Sequence, residues 1–280
     1  MKNIIVAVDF SGGSIHALKY AIKLANSAKA NIIMVWVDKT SEPDSIYSIS
    51  VESYRTEVVR RFNELNGQFR PEFTGGKLEY KLRKGKIYQE IVGFAQSKNA
   101  DLIITGSHGV SGFEEYWIGS NANRIVAHAF CPVITVRNKF EIKDQIQKIV
   151  MPVDNSSNTL GKLNVTACLA KHTGAEIHLI SIYSTNLKTM HKRVENFADK
   201  AIKYFEKESV SFVHEHFQTQ NATKSVIDYA INIQADLIAI MTEQEDNQSN
   251  GIIGPNARQI VNHSPIPVLS VHAADANKTF

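Results

Sequence analysis

The sequence has little of what marks a secreted, redox-active or membrane protein. It contains two cysteines, Cys131 and Cys168, and neither belongs to a Cys-x-x-Cys pair. Such sparse use is typical of a reduced compartment, so we interpret Cys131 as a small buried side chain. No apolar run approaches the roughly 20 residues that a helix needs to cross a bilayer, and residues 1–9 lead directly into a strand-like pattern. We therefore expect a cytoplasmic protein with no membrane contact and no signal peptide.

The sequence also lacks a block of one charge. Its 31 basic and 28 acidic residues are scattered along the chain and leave a net charge of +3. Nucleic-acid-binding proteins usually concentrate basic residues in one patch, so we expect no nucleic acid partner. Hydrophobic residues make up 43% of the 280 positions, which is ample for the packed cores of two ordinary domains.

An internal repeat accounts for the length. An offset of 145 carries IVAVDFS at residues 5–11 onto VMPVDNS, and an offset of 135 carries ADLII at residues 100–104 onto ADLIA. The second copy has therefore lost ten residues in its middle. We predict two related domains, residues 1–140 and 147–273, joined by a short charged connection.

Each copy reads as strands that alternate with helices. Continuous apolar runs such as residues 4–8 predict parallel strands covered on both faces, while the alternation at residues 78–82 predicts a strand near a sheet edge. The first helix repeats apolar residues at helical spacing, with Ser14 as its candidate N-cap. This order predicts an α/β protein in which each copy forms a doubly wound, Rossmann-like parallel sheet.

Ligands bind such sheets at the carboxyl ends of the strands, where Asp9 and Val37 are predicted to lie. The loop at residues 105–120, TGSHGVSGFEEYWIGS, follows a third strand and precedes a helical pattern. Backbone N–H groups and the positive end of a helix dipole hold phosphates in this arrangement. The loop residues that would wrap a phosphate are Gly106, Gly109, Gly119 and Ser120.

The spacing Gly106-x2-Gly109-x9-Gly119-Ser120 resembles the signature of the universal stress protein family, in its tandem two-domain form. Its flanking runs, ADLII before the loop and CPVITV after it, also agree with the family, as does VDFS at residues 8–11. The resemblance extends over nearly the whole chain. It implies that each domain has the adenine nucleotide alpha hydrolase-like form of the fold.

The resemblance further implies that the first domain binds ATP, with ADP or AMP as alternatives, and that Mg²⁺ can accompany the nucleotide. The family acts mainly in sensing or regulation, with slow hydrolysis at most, so no catalytic residue is assigned. The implied contacts are Asp9, Phe10 and Ser11 beside the nucleoside, Val37 at the adenine, Gly106 at the ribose, and Gly109, Gly119, Ser120 and Asn121 at the phosphates.

Three residues depart from the family pattern. Glu114 and Glu115 place negative charge in the middle of the loop, where relatives often carry basic residues, and would disfavour a triphosphate. Phe10 replaces a glycine that is common in the family and could crowd the nucleoside. The loop also lacks the lysine or arginine that enzymes of phosphoryl transfer use, so we expect binding rather than catalysis.

The second copy keeps one of the four signature positions. Met241, Gln244 and Pro255 replace two glycines and the serine, and only Gly254 remains. Pro255 removes both an amide and a hydroxyl that a phosphate would need. We therefore expect the second domain to be structural and to pair with the first as an internal pseudo-dimer. Residues 133–136 and 268–271 are the candidate seam, because single-domain members of the family dimerise through this strand; a homodimer of chains is also open.

Several residues keep a simpler interpretation beside the functional one. Asp9 either faces the nucleotide or only caps the turn into the first helix, since Asp154 matches it in the second copy. His108 either contacts a phosphate or is solvated.

His214 and His216 would share one strand face, but no third ligand is evident, so we predict no metal site. His128 and His263 match each other in the repeat, which favours a structural role at a helix end. The alternative function for the whole chain is a scaffold or small-ligand-binding protein that uses no nucleotide.

Overall fold

The computed structural model describes residues 1–39, 48–107, 118–242 and 253–275. The first unit comprises β1 Asn3–Ala7, α1 Gly12–Ala28, β2 Asn31–Asp38, α2 Ser48–Phe69, β3 Leu78–Lys84, α3 Ile87–Ser97, β4 Leu102–Gly106, α4 Ser120–His128 and β5 Val133–Val136. The second comprises β6 Lys148–Val153, α5 Leu163–Thr173, β7 Glu176–Tyr183, α6 Lys188–Glu208, β8 Phe212–Gln218, α7 Ala222–Asn232, β9 Leu237–Met241, α8 Pro255–His263, β10 Val268–Val271 and a short 3-10 helix, Ala273–Asp275. Within these described ranges no helix is long and apolar enough to span a membrane.

The ten strands form one sheet in the order β3-β2-β1-β4-β5-β10-β9-β6-β7-β8. All pairs inside each unit are parallel. The seam between units is the antiparallel pair β5–β10, in which Ile134 lies opposite Leu269. The predicted doubly wound parallel sheets are therefore confirmed, and the predicted seam strands do pair.

The strands alternate their side chains between two apolar layers. In β1, Ile4 and Val6 lie in one core layer and Ile5 lies in the other, because successive strand residues point to opposite faces. Helices α1 and α2 cover the first layer, and α3 and α4 cover the second. The edge strands β3 and β8 are instead half exposed, which explains the alternation seen in the sequence at residues 78–82.

Side chains also join the two units across the seam. The Arg137 guanidinium donates to the carbonyl oxygens of Ser264 at 3.2 Å and Val261 at 3.4 Å. The amide of Ile118 donates to Asn262 Oδ1 at 3.3 Å. Burial in the interface lowers the pKa of Arg137.

Two local predictions need correction. The N-cap of α1 is Ser11, whose hydroxyl accepts from the amide of Ser14 at 3.2 Å, so the predicted cap at Ser14 was wrong by one turn. Ser11 is the cap because its extended backbone places its hydroxyl within hydrogen-bonding distance of the free amide of Ser14, three residues later. The apolar pattern also predicts the second helix over residues 51–65, whereas helix α2 spans Ser48–Phe69, with Phe69 buried in the core beyond the predicted end.

Candidate functional site

The candidate site of the first unit lies where the strand order reverses. Strand β1 sits between β2 and β4, and the three strands are parallel, so their carboxyl ends share one edge of the sheet. Val37 is the penultimate residue of β2 and is buried, Gly106 ends β4, and Asp9 follows β1. The fold thus brings these three predicted site residues to one edge, as ligand sites of open α/β sheets require.

Asp9 organises the turn that leads into α1. Its Oδ1 accepts from the amide of Ser11 at 3.0 Å and from the Ser11 hydroxyl at 2.5 Å. The amide of Asp9 in turn donates to Ser14 Oγ at 3.2 Å. These contacts give Asp9 a structural role, while its exposed carboxylate stays at the sheet edge where a ligand would sit.

Phe10 adopts a backbone conformation that favours glycine. Its φ is +61°, in the left-handed region, where a Cβ atom is strained. Its ring packs on Phe62 of α2 with the centroids 4.9 Å apart, and the Arg61 guanidinium lies 5.6 Å from the ring centroid. Phe62 stacks in turn on Tyr80 at 4.6 Å. The phenylalanine thus packs on α2, within an aromatic cluster that extends through Phe62 to Tyr80 of β3, and this packing offsets the strained backbone.

Gly106 allows β4 and α1 to approach closely. A Cβ at position 106 would stand 2.8 Å from the carbonyl carbon and oxygen of Gly13, and 3.3 Å from the amide of Ser14. No side chain fits in that space without moving the backbone. The glycine therefore has a packing reason as well as its place beside the proposed ligand.

The amino end of α4 closes the described part of the loop. Gly119 is the N-cap, and its amide donates to the carbonyl oxygen of Ser107 at 2.7 Å. This bond holds the start of α4 next to the carboxyl end of β4. Ser120 and Asn121 occupy the first two helical positions, where backbone N–H groups have no acceptor inside a helix. The remaining loop predictions, at His108, Gly109, Glu114 and Glu115, lie outside the described residues.

The second unit reproduces the turn and the loop closure. Asp154 Oδ1 accepts from the amide of Ser156 at 3.1 Å and from its hydroxyl, and the amide of Asp154 donates to Thr159 Oγ1 at 3.2 Å. The amide of Gly254 donates to the carbonyl oxygen of Thr242 at 2.7 Å, as Gly119 does to Ser107. The structural interpretation of the aspartate turn thus applies to both units.

The second unit differs at the start of its first helix. Helix α5 begins at Leu163, six residues later than the repeat of α1 would place it, and turns replace the missing segment. Met241 stands at the position of Gly106, and a Cβ at Gly161 would meet its Cε at 2.7 Å. A long side chain at this crossing therefore coincides with an unwound helix start.

Sequence reasoning missed Lys162, which the unwinding brings to the sheet edge. The side chain is 2% exposed, and its Nζ donates to the carbonyl oxygen of Thr159 at 2.5 Å. Burial lowers the pKa of Lys162 to about 8, while the charge of Asp154 acts in the opposite direction. The available signal was the replacement of Ala17 by a lysine at the matching position of the repeat.

The other candidate residues have local partners. His214 and His216 share one face of β8, with ring centroids 4.3 Å apart, and His214 Nε2 lies 2.9 Å from Ser181 Oγ. Across the described residues, no group of three or more His, Cys, Asp or Glu side chains could hold a metal ion. His128 and His263 are the last residues of α4 and α8, in agreement with a helix-end role, and Cys131 is buried in an apolar layer.

Comparisons with known proteins agree with this architecture. The profile of the Universal stress protein family matches residues 1–137 and again residues 145–272. A universal stress protein from Methanocaldococcus jannaschii is 30% identical over 141 residues, which cover 49% of this chain and 82% of that protein.

Two solved structures share the fold over nearly the full length. A universal stress protein from Archaeoglobus fulgidus superposes with a TM-score of 0.74 at 18% identity, covering 96% of each chain. A functionally unknown protein from Pseudomonas aeruginosa gives 0.68 at 18% identity, covering 99% of this chain and 94% of that one. Because the family profile matches most of the sequence in two successive segments, the chain belongs to the universal stress protein family and carries two of its domains in tandem.

Proposed function

We propose that the first unit binds one adenine nucleotide, ATP or alternatively ADP or AMP, as a sensing or regulatory module. One observation carries the proposal. The bond from the Gly119 amide to Ser107 holds the amino end of α4 against the carboxyl end of β4, at the reversal of strand order. This is the place where an open α/β sheet offers a phosphate both free amides and a helix dipole.

The nucleoside end of the ligand would lie beside the turn after β1. Asp9 keeps one carboxylate oxygen, Oδ2, outside the bonds that hold the turn, and Val37 is the penultimate residue of the neighbouring strand. The Phe10 ring packs on Phe62, which supports an open nucleoside position rather than a blocked one. We expect Mg²⁺ to enter with the phosphates of the ligand, since they supply the oxygen atoms that it prefers.

The second unit would not share this nucleotide. Its loop closure is intact, but Pro255 begins α8 in place of Ser120 and so lacks both the amide and the hydroxyl. Met241 replaces Gly106 in the second unit, and its side chain lies against Gly161. The second unit would instead support the first one through the continuous sheet and the β5–β10 seam.

The ligand that copurifies with the chain tests this proposal. Mild denaturation followed by mass spectrometry should release an adenine nucleotide in a ratio approaching one per chain. Isothermal titration with ATP, ADP and AMP then ranks the phosphate counts. No copurified nucleotide, together with no heat of binding at millimolar ligand, would refute the proposed function.

A further inference from the structure

A cavity of about 80 Å³ opens at the carboxyl ends of β6, β7 and β9 in the second unit. Its apolar wall is built from β7, β9, α7 and α8, and includes Ile182, Val226, Ile240 and Ile260. Its polar end carries Asp154, Ser156, Thr159 and Lys162. The cavity therefore joins an aliphatic wall to a group of charged and hydroxyl side chains.

Lys162 brings an ammonium group with unused hydrogen-bonding capacity to this cavity. The side chain is 2% exposed, yet within the described part of the chain its Nζ has one hydrogen-bond acceptor, the carbonyl oxygen of Thr159. A lysine ammonium has three donors, and burying a charge with donors unfilled is costly. A ligand oxygen in the cavity would accept a hydrogen bond from one of these unfilled donors.

Asp154 supplies the opposite charge. Its Oδ1 is held by the amide and hydroxyl of Ser156, and among the described residues no contact engages Oδ2. Asp154 and Lys162 do not form an ion pair with each other, although the aspartate charge raises the pKa of the lysine. The two charges therefore line one cavity with a gap between them.

We propose that this cavity binds a small α-amino acid, with the ligand carboxylate on Lys162 and the ligand ammonium group on Asp154. Such a zwitterion bridges the two charges and leaves both neutralised, which an anion alone cannot do because Asp154 would repel it. Phosphate is also disfavoured, because Pro255 removes an amide from the neighbouring helix start.

The size of the cavity limits the ligand side chain. At roughly 30 Å³ per water molecule, a cavity of about 80 Å³ holds about three water molecules, so only the smallest amino acids fit. The aliphatic residues opposite the charges suit a methyl group. Alanine is therefore the reference probe, and a large aromatic amino acid should be excluded.

The site is particular to the second unit. The first unit has Ala17 where the second has Lys162, and its α1 is helical from Gly12 onward. In the second unit the delayed start of α5 places Lys162 just before the helix, beside the aspartate turn. The amino acid site thus does not depend on nucleotide binding by the first unit.

Titration calorimetry on the full chain tests the proposal with three matched probes. L-alanine carries both charges, propanoate carries only the carboxylate, and ethylamine carries only the ammonium group. We expect alanine to bind at least about tenfold more tightly than either, since each single-charge probe leaves one charge of the cavity unpaired. Equal binding of propanoate and alanine, or no binding of alanine at millimolar concentration, would overturn the proposal.

Variants locate the site. Lys162→Met should abolish alanine binding, whereas Lys171→Met, which removes a surface lysine of α5, should leave it unchanged. Val226→Phe, which fills the cavity from the apolar side, should also abolish binding and does not touch the aspartate turn. Alanine binding that survives Val226→Phe in a folded variant places the ligand elsewhere and refutes the assignment.

Measuring alanine binding in the presence of ATP distinguishes this proposal from the proposed nucleotide function. Alanine affinity should change by less than about twofold when ATP is present at saturation, because the two ligands occupy different units. Direct competition between alanine and ATP would refute the site in the second unit. Absence of ATP binding with alanine binding intact would refute only the nucleotide function.

Discussion

Gly106 lies against Gly13 so closely that a Cβ at position 106 would come within 2.8 Å of the Gly13 carbonyl. The contact lets α1 begin at Gly12, directly behind the aspartate turn. In the second unit Met241 occupies the matching position, and α5 begins only at Leu163. The contact between β4 and α1 is therefore a structural difference between the two units, and it lies at the sheet edge where a ligand would bind.

Gly106→Ala should lower the free energy of unfolding by about 1–3 kcal/mol, because the added methyl group forces the backbone of α1 to move. Urea denaturation measures the change. Gly93→Ala is the matched control, since Gly93 lies on the exposed side of α3 with open space where a Cβ would be. The control should be stabilised by up to about 1 kcal/mol. A neutral Gly106→Ala variant would contradict the tight crossing.

At position 10, a glycine variant should be more stable than an alanine variant. Both substitutions remove the ring, but only glycine relieves the φ of +61°, so Phe10→Gly should be about 1 kcal/mol more stable than Phe10→Ala. Asn155, at the matching position of the second unit, is not among the residues with positive φ. Asn155→Gly should therefore be no more stable than Asn155→Ala, and thermal unfolding of the four variants compares the two positions.

Asp9 and Asp154 should contribute equally to stability and unequally to nucleotide binding. Each accepts two hydrogen bonds from the serine two residues on, so Asp9→Ala and Asp154→Ala should each cost about 1–2 kcal/mol. Only Asp9→Ala should weaken ATP binding in calorimetry. If folded Asp9→Ala binds ATP as the wild type does, Asp9 serves the turn alone.

Lys162 should make stability depend on alkaline pH. Burial lowers its pKa from 10.5 to about 8 in the folded protein, so between these values the unfolded chain binds more protons than the folded chain. The stability of the wild type relative to Lys162→Met should then increase as pH rises from about 8 to about 10.5. The full difference is up to about 3 kcal/mol.

Denaturation of both proteins across that pH range measures the effect, and the subtraction removes the contributions of other titrating groups. A difference that is flat, or that falls with rising pH, would show that the ammonium group is not buried as the structure has it.

The repeat and its apolar runs were enough to predict the alternating elements and the parallel sheets, because continuous burial and helical spacing are direct properties of the sequence. The seam strands were predicted from the family resemblance instead. The N-cap of α1 was not predicted correctly, since Ser11 and Ser14 are both good caps and only the backbone conformation decides between them. The delayed start of α5 was also missed. It coincides with Met241, which is nearly 80 residues away in sequence and lies next to Gly161 only in the folded chain.

The position of the candidate site could be predicted from the sequence, but the packing of its residues could not. The glycine spacing and the family resemblance indicated the sheet edge at Asp9, Val37 and Gly106, where the fold does bring them together. The same residues gave no sign that Gly106 is required by the helix crossing or that Phe10 packs on Phe62. Lys162 was overlooked because a single lysine at a helix start has no pattern of its own, and its burial follows from the unwound turn.

The central claim, that one nucleotide binds through the first unit, is tested most directly by titrating ATP into the wild type, Gly119→Val and Gly254→Val. Both glycines are N-caps with φ near −58°, which valine can adopt, so the two changes perturb the backbone alike. We expect one ATP per wild-type chain, at least about tenfold weaker binding for Gly119→Val, and a change below about twofold for Gly254→Val. Equal losses in both variants, or two ATP molecules per chain, would contradict the account.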